Sequence, residues 1–491
     1  MPPIKLVDHA KDYLLVYDSS SNRFLFVTDK SILSSMGRLN CNNGNFSERD
    51  LFEILKEKYR DTPFFNNVTL CSPQEAYVRL SQDWKLHIDK EKHTCLRLEL
   101  TQHCNFKCTY CEQRFYYDEK PARFDMSFDI ASRSIDYFCD KFPDLDQYII
   151  ALYGGEPLLR KELIYNILDY CQTEHKDLNF YYIINTNGYL LDIEFVSRVK
   201  DHNVQLYVSI DGSEELNDTH RRTVDGMPTF MGIEKNMKDL RSSFPDFYRN
   251  CIAVLCVIDL CQPLDKYYES FEKSEVFKGI NVRYLTKIEN TFAPSNSDQR
   301  MKCYENYWCL MNKFPKRFEK SVGVSQLDQG MMDMLQKLVF KQGELEEKIL
   351  LPGMCFPSLS EIFVTANGDF KICGRSVNDF VIGDIYSGYD FDIAREIIES
   401  YYEIVDTLCS NCYMIRLCNP CIAMFLKRGR LQKDTVYCEH MKAKADIVFN
   451  FIKGKLVKEW NHGNQPRIPG IAPSISNGSP GFTGCQSDTN H

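Results

Sequence analysis

No stretch of about 18 apolar residues occurs in the 491-residue chain, so no segment reads as a membrane-spanning helix. Positive charge is in deficit: 59 Lys and Arg face 68 Asp and Glu, for a net charge of −9. That balance gives no electrostatic support to a general nucleic-acid role. The opening residues MPPIKLVDHAKDY lack the apolar core of a secretion signal, and a cytoplasmic protein is the expectation. An even set of cysteines is missing too. The chain has 21, an odd number, without an export signal. Disulfide frameworks belong to small secreted domains, so metal binding or catalysis is the better reading of these thiols. Hydrophobic residues make up 44% and charged residues 26%, an ordinary balance that can bury a large core in about two or three domains.

What is present falls into segments. Within residues 1–90, YLLVY (13–17) and FLFVT (24–28) flank DSSSNR and predict a hairpin. NFSERDLFEILKEKY then predicts a helix capped by Ser47, with Leu51, Ile54 and Leu55 at helical spacing. A hairpin followed by helices suits a small winged-helix-like module. From 95 to about 300, short β-rich runs alternate with helical stretches. The runs are CLRLEL (95–100), YIIALY (148–153), FYYIIN (180–185), VQLYVSI (204–210), IAVLCVI (252–258) and INVRYL (280–285). Six strand–helix units of this kind predict an α/β fold with parallel strands, as a partial (β/α)6 barrel or an open sheet. Residues 301–350 read as a helical bridge. Residues 351–445 are rich in cysteine, with turns at NGD (367–369) and SGYD (387–390). The tail 460–491 is loaded with Gly, Pro, Ser and Asn, and disorder is expected there.

Directly after the first α/β strand comes TQHCNFKCTYC, with Cys104, Cys108 and Cys111 on one loop. Active sites collect at such strand ends in parallel α/β folds. A structural zinc site wants four ligands. Three thiolates suit an iron–sulfur cube with one iron left open, although zinc or unrelated cysteines fit the spacing equally well.

The surrounding residues add a resemblance. C-x3-C-x2-C with Tyr110 before the last cysteine, GGEP (Gly154 to Pro157), NTNG (Asn185 to Gly188), SIDG (Ser209 to Gly212) and NDTHR ending at Arg221 stand in order at successive strand ends. Together they resemble the radical S-adenosylmethionine (SAM) family. The resemblance implies a [4Fe-4S] cluster on Cys104, Cys108 and Cys111, with the SAM amine and carboxylate on its open iron. It implies that the backbone at Tyr110 reads the adenine edge. Gly154 and Gly155 would admit the methionyl amine, and Glu156 would order that turn or face the substrate. Asn187, Ser209 and Arg221 are the implied contacts to ribose and carboxylate; the alternative for Ser209, Asp211 and Arg221 is a capped turn with a surface pair.

Further along, Cys355, Cys373, Cys409, Cys412, Cys418, Cys421 and Cys438 are similar to the seven-cysteine SPASM extension of radical SAM peptide maturases. The last short gap holds two residues where the family form usually has three. The resemblance implies two auxiliary [4Fe-4S] clusters. Cys409, Cys412, Cys418 and Cys438 would hold the outer one. Cys355, Cys373 and Cys421 would hold the inner one, with an open iron or a non-cysteine fourth ligand. A zinc ribbon is the alternative. Cys139, Cys171, Cys251 and Cys256 read as packing residues, and Cys41, Cys71, Cys95, Cys261, Cys303, Cys309 and Cys485 show no recognised ligand spacing.

The order of recognition module, radical SAM region and SPASM extension resembles maturases of ribosomal Cys-rich peptides, closest in YGGEPLL, TNGYLL and SIDGSEELNDTHR to the thioether-forming group. It implies a precursor peptide with a leader and a Cys-rich core, and an external one-electron donor of flavodoxin or ferredoxin type. A sulfatase-type maturase making formylglycine, or a carbon–carbon crosslinking or epimerising enzyme, is the alternative; a zinc-binding adaptor is the remote one.

Overall fold

The computed structural model describes residues 95–259 without a break, with most of 4–34, 48–58, 69–80, 262–286, 348–349 and 361–418 and parts of 422–454. The proposed bridge (apart from 348–349), the tail, Ser47, Cys355 and Cys421 lie outside the described residues.

Three antiparallel strands, β1 (Ile4–Ala10), β2 (Tyr13–Asp18) and β3 (Arg23–Val27), open the chain, followed by helix α1 (Glu48–Lys58). The predicted hairpin is β2–β3, and β1 adds a third strand to it. Leu14, Val16, Leu25 and Val27 face α1 through Leu51, Phe52 and Leu55. The alternate residues Leu15, Tyr17 and Phe24 belong to the main core, where Tyr17 and Phe24 pack on Phe449 at ring-centroid separations of 5.0 and 5.1 Å. Burial on both faces explains why YLLVY is continuously apolar rather than alternating.

Six parallel strands carry the centre: β4 (Cys95–Thr101), β5 (Tyr148–Gly154), β6 (Phe180–Thr186), β7 (Val204–Ser209), β8 (Ile252–Ile258) and β9 (Asn281–Thr286). These coincide with the six predicted runs. Each lies beside its sequence neighbour, so the sheet runs in one direction from β9 to β4 without a reversal. Along β6 and β7 one set of alternate residues is fully buried and the other half-buried. The buried set belongs to the core that also holds the buried residues of the connecting helices. Beyond β4 the sheet continues with β10 (Glu361–Val364), parallel to β4, and then antiparallel β11 (Asp369–Lys371), β12 (Val381–Asp384) and β13 (Gly388–Tyr389). The cysteine-rich region is therefore hydrogen-bonded to the first strand of the parallel sheet. Gly368 and Gly388 sit at the expected turns with φ of +93° and +80°. No helix among the described residues is long and apolar enough to cross a membrane.

Candidate active site

The loop after β4 places Cys104 and Cys111 half-buried and Cys108 buried. The Phe106 N–H points at Cys104 Sγ (3.3 Å) and the Arg114 N–H at Cys111 Sγ (3.5 Å), so Cys111 caps helix α2 (Glu112–Asp118). Burial pushes the Cys104 thiol up to about 12 and the Cys108 thiol to about 11, the latter despite the lowering influence of the Arg221 guanidinium. Cys104 feels both other thiols electrostatically. As free groups Cys104 and Cys108 are protonated at neutral pH; a bound metal centre takes them as thiolates. Among the described residues no three His, Cys, Asp or Glu converge on one ion-sized point. The donor set fits a cluster, whose irons take one thiolate each.

The later motifs fasten this loop. Residues 220–224 run beside it: Thr109 N–H donates to His220 O (3.0 Å), Lys107 N–H to Arg222 O (2.7 Å), and Val224 N–H to Asn105 O (3.1 Å). On the other side, Gly155 N–H donates to Thr101 O (2.8 Å) and Glu156 N–H to His103 O (2.9 Å). A Cβ on Gly154 or Gly155 would collide with the carbonyl oxygen of Thr101 or His103 respectively, and Gly154 also has φ +140°. The glycine pair thus makes room for the cysteine loop itself, a use the expected approach of the methionyl amine did not anticipate.

Glu156 is buried and accepts from Leu158 N–H (3.0 Å), the Thr186 hydroxyl (2.7 Å) and Asn187 N–H (2.7 Å). Of its two expected uses, its side chain performs the first and orders the turn, tying the end of β5 to the end of β6. Asn187 Nδ2 reaches back to Asn105 Oδ1 (2.7 Å) in the cysteine loop.

Tyr110, Asp211 and Arg221 form a buried group beneath the loop, 5%, 1% and 5% exposed. Arg221 Nη1 donates to the Tyr110 hydroxyl (2.7 Å), which donates to Asp211 Oδ2; Asp211 Oδ1 accepts from Val257 N–H (2.8 Å). A surface pair is thereby excluded. Among the described residues Arg221 Nε is buried and has no hydrogen-bond partner, an unsatisfied donor on the guanidinium. Ser209 is half-buried at the end of β7. Two residues that sequence reasoning passed over complete the frame: His220 bonds Thr109 Oγ1 through Nδ1 (2.8 Å) and Asp259 through Nε2 (3.1 Å). NDTHR contained His220, whereas nothing near Asp259 marks it as a partner 39 positions away.

The C-terminal cysteines separate in space. Cys409 ends the helix Phe391–Cys409, Cys412 follows in a turn (Cys412 N–H to Cys409 O, 3.0 Å), and Cys409 interacts electrostatically with Cys412 and Cys438. Cys418 flanks the same core. Cys373 lies after β11, at the end of the sheet where β4 begins.

Comparison with known proteins agrees with this geometry. Residues 98–259 match the model of the radical SAM superfamily. An uncharacterized protein of Methanocaldococcus jannaschii is 36% identical over 156 residues, 32% of this chain and 50% of that protein. A cysteine-type anaerobic sulfatase-maturating enzyme of Clostridium novyi is 24% identical across 70% of this chain and 91% of its own length. The solved structure of anSMEcpe with bound AdoMet and Cp18Cys peptide shares the fold, with a TM-score of 0.54 and 18% identity over 75% of this chain and 99% of that one. Residues 98–259 of this chain are a radical SAM domain.

Proposed function

We propose that this chain is an oxidative maturase of a polypeptide substrate, acting on a cysteine or serine side chain as its sulfatase-maturating relatives are named for doing. The observation that carries the reading is the clamped loop: three thiols at one strand end, held by motifs from the next strands, beside a buried guanidinium with an unsatisfied donor. Cys104, Cys108 and Cys111 would hold a [4Fe-4S] cluster. When bound, that cluster and SAM supply one electron and a 5′-deoxyadenosyl radical able to take hydrogen from an unactivated carbon.

The chain's own residues do the rest. Arg221 offers Nε to the SAM carboxylate while Tyr110 and Asp211 hold the guanidinium flat against the loop. The Tyr110 backbone meets the adenine, and Asn187 and Ser209 line the approach to the ribose. Gly154, Gly155 and Glu156 keep the thiols at fixed spacing. Two auxiliary clusters, on Cys409, Cys412, Cys418 and Cys438 and on Cys355, Cys373 and Cys421, would accept the electron that the substrate gives up. An external one-electron donor of flavodoxin or ferredoxin type is required.

The relatives that span most of this chain favour formylglycine formation over the thioether chemistry of the peptide maturases. One observation keeps the thioether reading: β1 and β3 are edge strands of a sheet outside the radical SAM domain, and such an edge can take a leader peptide as an added strand. Coexpression with Cys-containing peptides, followed by fragmentation mass spectrometry, separates the two. An aldehyde in place of the side chain supports the first reading. A sulfur-to-carbon crosslink supports the second, and an unmodified peptide with intact SAM turnover would remove both.

A further inference from the structure

Between Cys108 and Cys111 the chain has only Thr109 and Tyr110, and on the reading above the backbone there meets the adenine of SAM. Thr109 is exposed, so burial does not fix it. Hydrogen bonds do. Its N–H donates to His220 O (3.0 Å), and its Oγ1 lies 2.8 Å from His220 Nδ1. One residue, 111 positions away, thus ties the backbone and the side chain of Thr109 at once.

The His220 ring is itself held. Its Nε2 lies 3.1 Å from Asp259 Oδ2, and the two side chains are 16% and 8% exposed. A carboxylate only accepts, so Nε2 carries a hydrogen on that side; in the neutral ring Nδ1 then accepts from the Thr109 hydroxyl. Asp259 N–H donates in turn to the Tyr267 hydroxyl (3.0 Å), in the helix Leu264–Lys273. Asp259 directly follows β8, so the line from Asp259 through His220 to Thr109 joins the end of the fifth parallel strand to the cysteine loop. The Tyr110 ring stands 5.9 Å from the His220 ring, and Arg221 Nη1 donates to the Tyr110 hydroxyl (2.7 Å). Neighbours 220 and 221 therefore fix neighbours 109 and 110.

Other groups fasten the rest of the loop. Asn105 O accepts from Val224 N–H, Lys107 N–H donates to Arg222 O, and Glu156 N–H donates to His103 O. None of these uses the His220 ring. The bond from Thr109 N–H to His220 O does not use it either, and survives any substitution of that side chain. What the ring adds is the orientation of the peptide group between Thr109 and Tyr110.

Resting on the radical SAM reading above, we propose that His220, set by Asp259, is a positioning residue for nucleoside recognition. It holds the Thr109–Tyr110 backbone at the angle the adenine requires and takes no part in holding the cluster. It acts through Thr109 rather than on the reacting atoms.

The test uses the full chain, anaerobically reconstituted and reduced. It is titrated with SAM and, separately, with methionine, each followed by the change in the paramagnetic resonance signal of the cluster. Methionine carries the amine and carboxylate of SAM but no nucleoside. His220→Ala is expected to keep the wild-type iron content, to hold methionine affinity within about twofold, and to weaken SAM binding about three- to tenfold, the range of one hydrogen bond. His220→Asn places an amide at the Nδ1 position and is expected to restore SAM affinity. His220→Gln places the amide at the Nε2 position, toward Asp259, and is expected to behave as His220→Ala. Thr109→Val is expected to reproduce the His220→Ala loss, and combining the two should add nothing further. Thr109 is too exposed for that change to unfold the chain, so it carries the test if His220→Ala fails to fold. Equal weakening of methionine and SAM, loss of iron in His220→Ala, unchanged SAM affinity in both single variants, or additive losses would overturn the positioning role and leave the radical SAM reading in place. A wild type whose signal SAM does not alter would overturn that reading and this inference with it.

Discussion

His103 and Gly155 meet with no room for one more carbon: the His103 carbonyl accepts from Glu156 N–H at 2.9 Å, and a Cβ on Gly155 would collide with that oxygen. The cysteine loop is thus gauged from behind by a glycine whose side-chain hydrogen is the largest group the contact admits.

Gly155→Ala is accordingly expected to push the loop away from β5. Forcing one methyl group into a packed site costs about 1–3 kcal/mol, which leaves the fold intact while shifting Cys104. Iron content after reconstitution should fall together with SAM cleavage, and circular dichroism should stay native. Full iron loading in this variant would show that the close approach does not govern the loop.

Arg221→Lys keeps a cation above Asp211 but removes the fork and its unsatisfied Nε. SAM affinity should drop at least about tenfold, or about 1.4 kcal/mol, with cluster content unchanged. Calorimetric titration of the reconstituted protein with SAM measures it. Arg221→Ala is a poorer probe, since it leaves Asp211 buried without its cation, a change worth about 3–5 kcal/mol of stability.

Cys108→Ala and Cys412→Ala should separate the two halves of the chemistry. The first is expected to abolish release of 5′-deoxyadenosine. The second should leave that release measurable and end peptide modification. Modification at the normal rate in Cys412→Ala would dismiss electron acceptance by the outer auxiliary cluster.

Phe449→Ala empties the aromatic contact that joins the N-terminal sheet to the C-terminal region. Phe449 is 2% exposed and packs on Tyr17 and Phe24. Removing a buried Phe costs about 3–5 kcal/mol. Limited proteolysis should cut the sheet from the rest of the chain sooner than in the wild type, while radical SAM cleavage persists. Retained protection would indicate that the Arg416–Ser19 (2.7 Å) and Lys453–Asp8 (3.1 Å) contacts suffice to hold it.

The six strands of the parallel sheet are legible because each is a short apolar β-rich run bounded by turn residues, a local property. The cysteine loop is legible for the same reason: its three thiols are close in sequence, and Tyr110 lies among them. Which groups Glu156 binds in ordering its turn is not legible, since its partners Thr186 and Asn187 belong to another strand end. β1 was equally hidden, because IKLVDHA acquires meaning only against its partner β2.

By itself, the order of residues determined which elements form and which chemical groups stand at the strand ends, for both depend on neighbours a few positions apart. Only the tertiary structure decided what those groups touch: that a glycine pair gauges a cysteine loop, that a guanidinium is held by a tyrosine and an aspartate with one donor unsatisfied, and that Cys95 sits across from Glu361. Such contacts join residues tens to hundreds of positions apart, and packing rather than local propensity selects them.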